Sequence, residues 1–204
     1  VISNGKSAKM NGSLATTEDE LTKAGVSYVI YNGIGANPLK SAVEEGAKVG
    51  RDNGADFVVA LGGGSVMDAA KNIAMFIPQL SDDLWDYTFG PHGGKKVPEK
   101  PVLPWIAITT SAGTGSEADA AGVITNPDTF EKIGVGGFPG MFATYAIVDP
   151  KLMKTVPQAY TAYQGFDALF HSVEGYISNR PNLMGDMVQR AAIENIGKYL
   201  PRAV

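Results

Sequence analysis

The sequence predicts an α/β domain built on a parallel sheet, followed by the start of an all-α domain. Three observations predict this. Short apolar runs alternate with segments of helical period up to Asp149-Pro150, and glycine-rich turns follow the apolar runs. Beyond Val156-Pro157, two long helical patterns succeed each other with no strand between them. Alternation of this kind is the signature of parallel strands covered by helices.

Taken in order, Ser27-Tyr28-Val29-Ile30-Tyr31 has strand composition, and Gly33, Gly35 and Pro38 turn the chain after it. From Leu39, small or apolar residues at Ala42, Val43 and Ala47 carry the period of an amphipathic helix, which Gly54 ends. Asp56 to Leu61 is a near-continuous apolar run, as a parallel strand buried on both faces requires. Val66 to Ile77 reads as a helix stopped by Pro78. Leu103 to Thr109 and Tyr145 to Val148 are two further strands. Ala159 to Ser178 and Met184 to Tyr199 are the two late helices, so a boundary near Pro157 divides the chain into 1–157 and 158–204.

Composition narrows the function classes. Glycine supplies 25 of 204 residues, above the usual share of roughly 7%, and it clusters where backbone turns sharply or approaches a ligand. A net charge of −4 gives no basic field for nucleic acid. No apolar run approaches the ~20 residues that span a bilayer. With no cysteine, disulfides, Cys-ligated zinc and thiol catalysis are excluded, and a cytoplasmic location is expected. The chain opens at Val1-Ile2 without Met or a signal segment and stops just past a helix, so part of a longer polypeptide is expected.

Three segments could carry chemistry. Leu61-Gly62-Gly63-Gly64-Ser65-Val66-Met67-Asp68 follows a strand and opens a helix. Consecutive glycines let phosphates reach the backbone, and a helix N-terminus offers unpaired N–H groups and positive dipole charge; a dinucleotide pyrophosphate suits it. Alternatively, Ser65 and Asp68 satisfy a capping box and are structural. Thr109 to Glu117 packs hydroxyls and glycines after another strand; it could contact a ligand or be a polar turn with Ser116 as a cap. Open α/β sheets bind ligands at this edge. Asp167 and His171, four residues apart on a helix, share a face and could hold one divalent metal, or be a plain surface pair. A catalytic metal takes about three protein ligands. His92, in a Gly/Pro-rich loop, reads as solvated, as do Lys95 and Lys96.

Together, Gly62 to Lys71, Thr109 to Glu117 and Gly165-Phe166-Asp167-Ala168-Leu169-Phe170-His171 resemble the iron-containing alcohol dehydrogenase family, most closely its butanol-dehydrogenase branch. The resemblance runs the length of the chain. It implies a dehydroquinate-synthase-like architecture: an α/β dinucleotide-binding domain (1–157, its first strand clipped), then a helical metal-binding domain of which 158–204 is the beginning. It implies cofactor contacts at Gly63, Gly64, Ser65, Asp68, Thr110, Thr114, Asn37, Lys132 and Leu152. Asp167 and His171 match the first two of four metal ligands and act in catalysis through the metal; no histidine follows His171 to complete the set. The implied metal is Fe²⁺, with Zn²⁺ also accepted by such ligands.

The implied activity is hydride transfer between a nicotinamide and a small primary alcohol or aldehyde such as butanol or butanal, in a homodimer or larger homo-oligomer when complete. Ser3 to Lys9 lacks the acidic residue that would repel a 2′-phosphate. With Gly5 and Ser7 in the turn and Lys6 and Lys9 beside it, NADP(H) is expected over NAD(H). A polyol dehydrogenase is the rival enzyme. If these residues are the whole product, a non-catalytic nucleotide-binding fragment is the rival of another class, and this stretch alone is expected to be inactive.

Overall fold

The computed structural model describes residues 2–3, 5–180 and 182–204. The chain divides into two compact units, Val1–Thr110 with Ser116–Leu152, and Ser111–Gly115 with Met153–Val204. The first unit contains, in order, β1 (Ile2–Ser3), α1 (Lys6–Met10), α2 (Ser13–Lys23), α3 (Lys40–Asp52), β2 (Val58–Gly62), α4 (Gly64–Phe76), β3 (Trp105–Thr109), β4 (Ala121–Asn126), β5 (Glu131–Gly136) and β6 (Tyr145–Ile147). The second contains α5 (Gln158–Tyr176) and α6 (Leu183–Ala203).

A parallel sheet of order β1-β2-β3-β6 organises the first unit. β2 lies between β1 and β3 and is buried at every position, Val58 to Gly62, which accounts for its unbroken apolar sequence. α4 follows it and is buried nearly all round, so its sequence carries almost no polar face. α3 packs closely on α4 because glycine leaves room. A Cβ on Gly46 would sit 2.5 Å from Ile73 Cδ1, and one on Gly50 2.5 Å from Ile77 Cδ1. Trp105, Phe76, Met67 and Met75 are fully buried in the same core.

Three features depart from the sequence expectation. Ser27 to Ile30 forms no strand among the described residues, and Tyr31 makes an isolated parallel bridge to Ile2. A strand exists through its ladder, and the neighbour here is the two-residue β1. The helices α1 and α2 were not foreseen: α1 is five residues long, and α2 buries only Ser13 and Leu14, too few to print a period. The antiparallel β4–β5 hairpin was also missed, although Asn126-Pro127-Asp128 marks its turn. The other predicted strands and helices form close to their expected bounds.

In the second unit α5 and α6 pack on each other. The α6 N-cap is Asn182, whose side chain accepts from the N–H groups of Met184 at 3.0 Å and Gly185 at 3.3 Å. Glycine permits the approach: Gly165 of α5 lies against Leu200, and Gly175 against Gln189. Tyr163, Phe166 and Phe170 remain exposed on α5.

Candidate functional site

The C-terminal end of β2 runs directly into the Gly62-Gly63-Gly64 turn and α4. Gly63 is the N-cap, extended at φ −87°, and no side chain caps the helix among the described residues. Ser65 and Asp68 therefore do not form the capping box that their spacing allowed. The Val66 N–H already donates to the Gly63 carbonyl at 2.9 Å, which leaves the Gly64 and Ser65 N–H groups at the helix start without an intrahelical acceptor or a side-chain cap. Gly62 is needed for room, since a Cβ there would lie 2.6 Å from Val66 Cγ2.

Three of the residues implied by the resemblance meet at this helix end. The Asn37 N–H donates to Ser65 Oγ at 3.3 Å, and Lys132 Nζ donates to Asn37 Oδ1 at 2.8 Å. Asn37 is held at φ 52°, a left-handed conformation that Asn tolerates better than most side chains. Lys132 comes from β5 and is exposed, so its ammonium stands at the positive end of α4. Thr110, buried at the end of β3, donates its N–H to the Gly62 carbonyl at 2.9 Å and ties the second loop's start to the glycine turn.

Asp68 is placed differently from a solvent-facing ligand contact. Its Oδ1 accepts from Ser116 Oγ, and its Oδ2 accepts from the Val123 N–H at 2.9 Å. The Ser116 hydroxyl is thus a donor to Asp68. Burial pushes the Asp68 carboxyl above its ordinary value; the bonds from Ser116 and Val123, and the charge of Lys71, pull the other way. One turn on, Lys71 is fully buried. Its ammonium donates to the carbonyls of Ser116 at 2.7 Å, Ala121 at 3.0 Å and Asp119 at 3.2 Å, and to the Asp119 carboxylate. Sequence reasoning gave Lys71 no role. The available signal was its position, a cation inside the run Ala69-Ala70-Lys71-Asn72-Ile73-Ala74, whose other members are all buried.

The remaining candidates are dispersed. Gly5 is the N-cap of α1 at φ 75° and ψ −59°, a conformation few L-residues adopt, and Lys6, Ser7 and Lys9 are exposed beside it. Leu152 lines a cavity of about 500 Å³ with Asn11, Thr17, Ile108 and Ile147. Thr114 is exposed in the Ser111–Gly115 segment of the second unit. In that segment the Ala112 N–H donates to Gln164 Oε1 at 2.9 Å, and a Cβ on Gly113 would lie 3.0 Å from Asp167 Oδ2. Asp167 Oδ1 and His171 Nε2 lie 3.6 Å apart on one face of α5, both substantially exposed. No group of three or more His, Cys, Asp or Glu suited to a metal occurs among the described residues.

His92 lies in an exposed loop, as expected, yet is not free: its Nδ1 lies 3.2 Å from Glu131 Oε1. Glu131 also accepts from Trp85 Nε1 at 2.7 Å and Thr129 Oγ1 at 2.8 Å. Lys96 pairs with Asp86 at 2.8 Å, which corrects its reading as merely solvated. No helix among the described residues is long and apolar enough to cross a membrane.

Comparison with known proteins bears on these arrangements. The sequence profile of the family described as "Iron-containing alcohol dehydrogenase" matches residues 1–150. The chain is 36% identical over 200 residues to NADH-dependent butanol dehydrogenase B of Clostridium acetobutylicum, covering 98% of this chain and 50% of that protein. It is 34% identical over 204 residues to 1,3-propanediol dehydrogenase of Klebsiella pneumoniae, covering all of this chain and 51% of that protein. Among solved structures, NADH-dependent butanol dehydrogenase A of Thermotoga maritima superposes with a TM-score of 0.89 at 32% identity, over 98% of this chain and 49% of that one. The chain thus spans about half the length of the curated relatives it matches.

Proposed function

The chain belongs to the iron-containing alcohol dehydrogenase family, and from that premise we propose that it supplies the nicotinamide-dinucleotide site, and part of the metal site, of an enzyme moving a hydride between a nicotinamide and a small primary alcohol or aldehyde. The observation that carries this reading is the β2–α4 turn. Gly62 to Gly64 open a helix with no side-chain cap, and Asn37, Ser65 and Lys132 converge on its start. The Gly64 and Ser65 N–H groups at the start of α4 hold the pyrophosphate, with Lys132 neutralising charge and Asn37 fixing Ser65. Thr110 and Thr114 contribute further cofactor contacts, and Leu152 an apolar one. Asp68 acts on the cofactor indirectly, through the segment it braces.

Asp167 and His171 fit a divalent metal as two of its ligands, since a carboxylate oxygen and an imidazole nitrogen face each other 3.6 Å apart on one helix face. Such a metal, when bound with further ligands, polarises the alcohol or carbonyl oxygen as a Lewis acid. Iron is the metal the family's name specifies. The 1,3-propanediol dehydrogenases among the relatives favour a second reading in which the substrate is a short diol.

The expected preference for NADP(H) finds no support in the relatives, several of which are NADH-dependent by name. It rests on the lack of an acidic side chain at Gly5 and on Lys6, Ser7 and Lys9. Comparable affinity for NADH and NADPH would remove it.

Titration of the chain with NADH and NADPH, followed by the fluorescence of the reduced cofactor, tests the dinucleotide reading. Gly64→Asp places a carboxylate at the start of α4 and is expected to weaken binding about tenfold or more, since a negative side chain there opposes the phosphates. No binding by the unaltered chain, or unchanged binding by the variant, refutes the reading.

A further inference from the structure

The motif Gly62 to Lys71 ends on a residue that the dinucleotide site does not use. We propose that Lys71 is a positioning residue for that site. From inside the core, it fixes the segment that leaves the hydroxyl-rich loop, and so sets the geometry of that loop at its Ser116 end. The proposal rests on the dinucleotide reading of the β2–α4 turn.

A lysine with no exposed surface is costly unless each of its donors is satisfied. Lys71 has three N–H donors and four acceptors within reach: the carbonyls of Ser116, Asp119 and Ala121, and the Asp119 carboxylate. Its ammonium also lies 5.6 Å from the centre of the Trp105 ring. All three carbonyls belong to one stretch, Ser116 to Ala121, which has no ladder partner of its own before Ala121. Without Lys71, which is itself fully buried, these carbonyls would lose their shared donor. A neutral apolar side chain of similar length could fill the volume but could not gather three carbonyls at one point.

Asp68 holds the same stretch from the preceding turn of α4, through Ser116 and Val123. Thr110 is fastened to Gly62 at the other flank of the loop. One helix therefore presents the phosphate-binding N–H groups at its start and grips the second loop's exit two turns later. That coupling is why a buried cation sits in a helix whose other buried residues are mostly apolar. If the stretch is ordered by Lys71, dinucleotide finds the loop formed. If not, part of the affinity is lost in proportion to the fraction formed.

The test is dinucleotide affinity of the full chain beside hydrogen exchange of residues 116–123, well below the melting temperature. Lys71→Met is expected to speed exchange in 116–123 and to weaken NADH binding about tenfold, as when the formed fraction falls to about a tenth. Asp119→Ala removes only a half-exposed anchor and keeps the fold. It is expected to show the same two effects at about threefold, and it carries the test alone if Lys71→Met does not fold. A lysine that only stabilised the core would lower the melting temperature and leave the affinity of the folded protein unchanged. That result, or unchanged exchange in 116–123 with Asp119→Ala, overturns the proposal. Failure of the unaltered chain to bind NADH would refute the dinucleotide reading instead.

Discussion

Replacing Asp68 separates two roles that its place in the motif allows. The side chain accepts two hydrogen bonds, from Ser116 Oγ and from the Val123 N–H at 2.9 Å. Bonds to a charged acceptor contribute about 1.5–3 kcal/mol each. The raised pKa means that burial outweighs those bonds for the charged form, so the loss in Asp68→Ala, about 2–3 kcal/mol, comes from leaving Ser116 Oγ and the Val123 N–H without their acceptor. For a chain of this length the loss corresponds to a fall in melting temperature of roughly 4–12 °C.

Asp68→Asn should cost less than about 1 kcal/mol, because the amide can accept from Val123 and donate to Ser116 Oγ. The pH dependence has a definite sign. A folded-state pKa raised above the unfolded value near 3.8 means that the protonation-dependent part of Asp68's contribution to stability is complete below that value. It is lost as pH rises through the folded value. The wild type should therefore lose ground to Asp68→Asn across that window and hold a constant difference above it. Thermal unfolding of both variants, followed by circular dichroism over pH, is the assay. Equal destabilisation by Ala and Asn, or an unshifted Asp68→Ala, would show that the bracing bonds carry no weight.

Two further outcomes are expected. Glu131, whose pKa is lowered to about 2 chiefly by the Trp85 N–H bond, contributes stability above its ordinary value near 4.5 that disappears as pH falls to about 2. Glu131→Gln should thus be less stable at neutral pH and show a flatter acid limb in that window; parallel acid-unfolding curves would contradict it. His171→Ala should abolish the visible spectrum of Co²⁺ bound to the chain while leaving NADH affinity within about twofold, because only the metal pair on α5 is touched. Retention of the spectrum would remove His171 from the ligand set.

The alternation of buried strands and helices was legible in the sequence because burial on both faces forces continuous apolar runs, as in β2 and α4. The glycine turn was legible because strand, glycines and helix are neighbours in the chain. So was the pairing of Asp167 with His171, which follows from helical spacing alone. The edge segment Ser27 to Ile30 was not, since a strand depends on what lies beside it. Nor was the convergence of Asn37, Ser65 and Lys132, or the capture of Ser116 by Asp68 and of three carbonyls by Lys71. Those contacts join residues from 28 to 95 positions apart. Local propensity fixes which segments are helix or strand, whereas partners far apart in sequence are chosen by packing. That is why Asp68, with the spacing of a helix cap, became a brace for the loop beside it.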